Sequence, residues 1–196
     1  MTKGAKAYLG FIILCGLALL GYAGYQYFTS LNVTDLGLEI QQMICLTVLC
    51  VLCGSLPIVV SAKQQALDIT IISILAAVIV KGPFAAMLIY FISSLFIVKK
   101  LDNKHHHVLN TPFVKTAFNT ANLMIAIYVP GILFFGNTGF QGELLPNVIF
   151  PAALYTAVTF LINSTLLMIF FILGKKVKLS DASARTKSIL PNVLFA

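Results

Sequence analysis

Charge is the scarcest commodity in this sequence. Only 10% of its 196 residues are Asp, Glu, Lys or Arg, against about 25% in an ordinary soluble domain. Hydrophobic residues make up 59%, and the mean hydropathy is +0.97. So few polar side chains cannot cover a water-exposed surface. That excludes a soluble globular enzyme, a disordered tail and a disulfide scaffold. Nucleic-acid binding is excluded as well, because the net charge of +7 is not gathered into a basic domain. Catalytic signatures are missing too: no P-loop, G-x-S-x-G or H-E-x-x-H, no paired carboxylates, no nucleophile with a base beside it. Neither an enzyme nor a bound cofactor is expected. Cysteine is sparse, and Cys15, Cys45, Cys50 and Cys53 all stand inside apolar runs. Cys50 and Cys53 form a C-x-x-C with no second pair or histidine on that stretch, so they read as small packing residues in lipid.

What the sequence has is long apolar runs. A helix needs about 20 apolar residues to cross a hydrocarbon core of about 30 Å, and 196 residues hold six or seven such crossings with short loops. The expected fold is therefore all-α, a polytopic transmembrane helix bundle filling 1–196 as one membrane domain. The first run, 7–28, is longer than the core of a signal peptide, lacks a clear cleavage site, and ends in a cluster of Tyr22, Tyr25, Tyr27 and Phe28 suited to a membrane interface. A second helix covers 40–60. Residues 66–98 would extend about 50 Å as one rod, and Lys81-Gly82-Pro83 interrupts them. They read as two elements, 66–80 and 84–98, forming either two short spans or a re-entrant pair. Helices at 116–135 and 147–173 follow. An apolar run at 188–196 reads as the start of a seventh span in a chain cut from a longer protein.

Cations set the orientation. With a cytoplasmic N-terminus, Lys3 and Lys6, Lys63, then Lys99, Lys100, Lys104 and Lys115, then Lys175, Lys176, Lys178, Arg185 and Lys187 all fall inside, and Lys81 alone falls outside. The positive-inside rule strongly favours this arrangement. It places the chain as a multi-pass membrane protein, with anionic lipids of the inner leaflet as partners.

Polar side chains inside apolar runs are costly and are the natural candidates for function. Asn119 and Asn122 stand three apart near the inner end of the fifth helix, and Asn163 and Ser164 lie near the middle of the sixth. Counted from the flanking lysines, Asn122 is about 10 Å deep and Asn163 about 18 Å, so contact between them is left open, as is the choice between interhelical glue and a ligand or signalling joint. Asp68 is the one acid within an apolar segment; it reads as an acid at the positive end of a helix, or as a ligand site if partners lie deeper. His105, His106 and His107 read as a cytoplasmic loop that gains charge below about pH 6.5, not as a metal site.

From Phe84 onward the pattern has a likeness. Gly82-Pro83-Phe84-Ala85-Ala86 opens a short helix ending in a basic loop; FVKTAFNTANLMIAIYVPGILF and LYTAVTFLINSTLLMIFFIL follow. This resembles the multi-spanning N-terminal sensor domains of bacterial cyclic-di-GMP signalling proteins with HD-GYP or GGDEF output domains. Their recurrent phrases map here onto Phe118, Asn119 and Asn122 and onto Ile162, Asn163 and Ser164. The resemblance implies a sensory or anchoring module that relays a signal to a cytoplasmic output domain absent from these residues, with no catalysis carried over. A homo-oligomer is compatible with it. The alternative is the membrane subunit of a small-molecule, vitamin-type transporter.

Overall fold

The computed structural model describes residues 1–31, 35–56, 58–59, 66–67, 69–101, 104–136 and 145–174. Asp68, Lys63, the 137–144 loop and everything from 175 on, including the 188–196 run, lie outside the described residues. Among the described residues five helices carry the fold: α1 (Lys3–Ser30), α2 (Leu36–Ser55), α3 (Thr70–Phe96), α4 (Phe113–Phe135) and α5 (Leu145–Leu173). All five are long and apolar enough to cross a membrane. Two small antiparallel ladders join them, β1 (Ile58–Val59) with β2 (Ala66–Leu67), and β3 (Lys99–Leu101) with β4 (Lys104–His106). These ladders were not expected. They sit where the chain leaves one helix and must turn within a few residues to enter the next.

α1, α2, α4 and α5 start two to four residues before the expected bounds because the polar flanks also coil, while α2 stops five residues short at Ser55 and α3 starts four residues late at Thr70. Thr2 caps α1, its Oγ1 accepting from the Ala5 N–H at 3.2 Å, so the helix begins at Lys3 rather than at the first apolar residue. α4 begins directly after Pro112, whose ring suits a helix start and not a helix interior.

The third helix is the irregular one, as Lys81-Gly82-Pro83 predicted. Gly82 has φ 82° and ψ 170°, a conformation that is strained for any residue with a Cβ. The consequence is a reversal. A straight helix of 27 residues would separate its ends by about 40 Å. Instead both ends lie beside Gly54 near the end of α2: a Cβ there would stand 2.5 Å from Ile97 Cδ1 and 3.0 Å from Thr70 Oγ1. The tip, by contrast, meets the opposite end of α2, where Lys81 Nζ binds Glu39 Oε1 at 2.7 Å. α3 is thus two antiparallel limbs, 70–81 and 83–96, folded back at Gly82. Pro83 seats against Gly131 of α4, close enough that a Cβ on the glycine would stand 2.6 Å from Pro83 Cβ.

Successive elements alternate in direction around this hairpin. At one end Tyr8, Phe118 and Phe170 gather their rings, and the Thr2 hydroxyl donates to the Leu173 carbonyl. At the other end Tyr22, Phe84 and Tyr128 do the same, with Phe135 against Tyr155. α3 and α4 form the buried centre; α1, α2 and α5 ring it. The outer faces are apolar: Phe11, Leu14, Ile44, Leu52, Leu133, Phe150 and Leu161 are all more than half exposed. A water-soluble bundle would bury these side chains, whereas lipid solvates them.

Candidate functional site

The bundle buries few polar side chains, and a group of them lies on the α4–α5 seam. Asn122 of α4 is 1% exposed. Its Nδ2 donates to Asn163 Oδ1 of α5 at 2.5 Å. The sequence left that contact open, and the structure makes it. Helix ends explain why: Asn122 lies about 14 Å from the start of α4 and Asn163 about 15 Å from the end of α5, so the antiparallel helices bring them level.

Thr159 and Tyr155 continue the line. Spaced by four, Asn163, Thr159 and Tyr155 occupy successive turns of one face of α5. Thr159 is 1% exposed and Tyr155 fully buried. Sequence reading missed both, although that spacing of three polar-tipped residues was there to be seen. Asn122 Oδ1 is buried without a hydrogen-bond partner, and the equally buried Tyr155 Oη and Thr159 Oγ1 meet only one another among the described residues. On α4, Pro130 has no N–H to offer the Ala126 carbonyl, one turn from Asn122 on a buried stretch. The seam therefore holds a track of amide, hydroxyl and carbonyl groups whose hydrogen-bonding capacity is only partly used. Each such group left unmet costs about 1–3 kcal/mol. With no carboxylate or amine in it, the track can give and accept hydrogen bonds but cannot hold a net charge.

The remaining candidates are placed elsewhere. Asn119, three residues from Asn122, is exposed; residues three apart are rotated by about 60° on a helix, enough to put one inside the bundle and the other on its surface. Ser164 is half-buried beside Asn163. Asp68 lies outside the described residues. His107 serves its own turn, its N–H donating to Asn110 Oδ1 at 2.9 Å and its Nδ1 accepting from the Leu109 N–H at 3.2 Å. At the opposite end, Glu39 takes the Lys81 ammonium on one oxygen and the Tyr27 hydroxyl on the other, at 3.3 Å. That pair closes the α3 tip against α1 and α2.

Neither the curated proteins nor the solved structures contain a match to this chain. The MASE9 family profile matches residues 12–193, which includes every element described above except the first turns of α1. An apolar helical bundle with polar groups at its centre, matched over nearly its whole length, belongs to the MASE9 family and is a membrane-associated sensor domain.

Proposed function

We propose that this chain is the sensory and anchoring module of a bacterial signalling protein in the cytoplasmic membrane, coupled to a cytoplasmic output domain of the cyclic-di-GMP class. The α4–α5 track carries the reading. A sensor needs a seam with two arrangements that a signal weighs differently, and partly satisfied hydrogen-bonding groups between two helices allow an alternative register at modest cost. Asn122, Asn163 and Ser164 are the residues assigned to this joint. Asn119, on the surface of α4, and Asp68, outside the described residues, remain separate candidates.

The same reading gives six crossings, with each limb of α3 counted as a short one, and a cytoplasmic N-terminus. It is supported by the meeting of Thr2 with Leu173 and by the cation-rich 99–115 stretch, which follows the α3 limb that returns to that end. In a chain freed of its four cysteines, Leu36→Cys should react with a membrane-impermeant maleimide added to intact cells, and Leu109→Cys, at an 88% exposed position, should react only after lysis. Labelling of Leu109→Cys in intact cells would reverse the orientation.

For the joint, Asn163→Leu should preserve insertion and expression while shifting the basal output of the full-length signalling protein. A double-mutant cycle of Asn122→Leu with Asn163→Leu, read by unfolding in mixed micelles, should give a coupling of about 0.6 kcal/mol and no more than about 1.7. A measurable coupling with unchanged output would reduce the pair to packing glue.

A further inference from the structure

Away from that seam, α1, the second limb of α3 and α4 leave a slot of about 220 Å³. Leu17 and Leu20 of α1, Phe91 and Leu95 of α3, and Ala117 and Met124 of α4 form its walls. Val108 and Phe113 line the end nearest the β3–β4 ladder. Three hydroxyls line the slot, those of Ser94, Thr116 and Thr120; Ser94 donates to the Phe91 carbonyl at 2.7 Å, and Thr120 lies 3.5 Å from Ser94 Oγ. The rest of the lining is apolar.

Its size and depth narrow the choice. Pockets for whole drug-sized ligands run about 300–1,000 Å³, so this one suits a stretch of chain. The part of α4 that lines it, from Phe113 to Met124, is about 16 Å long, about half of a 30 Å hydrocarbon core and therefore one leaflet deep. The rim is open: Leu17 is 58% exposed and Phe113 78%.

The near end carries positive charge. Lys115 and His106 are exposed there. The β3–β4 ladder holds Lys99, Lys100 and Lys104, and β4 leads directly into the turn that carries Val108. Against these cations the 99–115 stretch has one acid, Asp102. An apolar slot one leaflet deep, with the exposed Lys115 just beyond its end, matches an amphiphile with an acyl tail and an anionic head. We infer that the slot holds one acyl chain of an anionic phospholipid whose headgroup rests at the Lys115 end. This assignment needs no choice of membrane orientation and does not involve the α4–α5 joint.

The test uses the whole chain in mixed micelles containing phosphatidylglycerol and phosphatidylcholine with the same acyl chains, with retained lipid counted by native mass spectrometry. The wild-type chain should retain phosphatidylglycerol severalfold over phosphatidylcholine, and high salt should narrow that preference. Ala117→Phe should fill the slot and abolish retention. Leu17→Trp, at the exposed rim, should do the same without entering the packed centre, which keeps the test decisive if Ala117→Phe fails to fold. Val129→Trp, on an exposed face of α4 away from the slot, should leave retention intact. Lys115→Gln should lower phosphatidylglycerol retention and spare phosphatidylcholine. Equal retention of the two lipids, slot variants that bind like wild type, or displacement of the lipid by excess inorganic phosphate would each overturn the assignment.

Discussion

Gly82→Val should break the centre of the bundle. Its φ of 82° lies in a region where a β-branched residue is a genuine outlier, and forcing a side chain into such backbone costs about 1–3 kcal/mol. The loss does not stop at the residue. If the limbs of α3 straighten even slightly, Pro83 leaves Gly131 and Lys81 leaves Glu39, so two further contacts between elements go with it. The expected result is a large drop in the midpoint of thermal or denaturant unfolding in detergent, with greater protease sensitivity between 70 and 96. Gly21→Val is the control. Gly21 is exposed on α1 with no atom within 4 Å of an added Cβ, and such a substitution should change stability by no more than about 0.5 kcal/mol. A Gly82→Val protein as stable as the Gly21→Val protein would mean that the reversal does not depend on this backbone conformation.

Lys81→Met should be the next most damaging change, and a second substitution should repair it. Lys81 is 11% exposed and Glu39 28%, so neither is well hydrated. Removing the ammonium leaves a partly buried carboxylate with the Tyr27 hydroxyl as its remaining partner in the tip, at a cost of about 1–3 kcal/mol. In Lys81→Met/Glu39→Gln the stranded charge is gone and most of the stability should return, because a buried pair contributes little over a neutral replacement. Unfolding of the wild type, both single variants and the double variant gives the coupling directly. An additive double variant would show that the contact contributes nothing to the tip.

The sequence made much of this fold readable because lipid imposes simple rules. Apolar runs at 7–28, 40–60, 116–135 and 147–173 became α1, α2, α4 and α5 with shifted ends. The interruption at Lys81-Gly82-Pro83 became the reversal inside α3, since glycine before proline is a poor continuation of any helix. The Lys81–Glu39 pair was harder to see: its partners are 42 positions apart, and hydropathy says nothing about which helix a fold-back will meet. The asparagine contact depended on where the helices end. Taking lysines as depth markers put Asn122 and Asn163 at different levels, while the helix ends place them together. Asn119 shows the limit of spacing rules on a helix, which report angular separation without saying where the buried sector stops. The slot was out of reach for another reason. It is a gap among Leu17, Phe91 and Ala117, which lie on three separate helices and share no pattern in the chain.

α1 also acts on α5 in a way its lipid-facing surface conceals. The Thr2 hydroxyl reaches the Leu173 carbonyl, and the Tyr8 hydroxyl donates to the Leu166 carbonyl at 2.9 Å, so two side chains near the start of the protein grip the last two turns of the final described helix. That grip works as a collar around the end of α5 farthest from Tyr155. Trimming the first eight residues would uncouple the shaft from its bearing while leaving the polar seam with α4 in place.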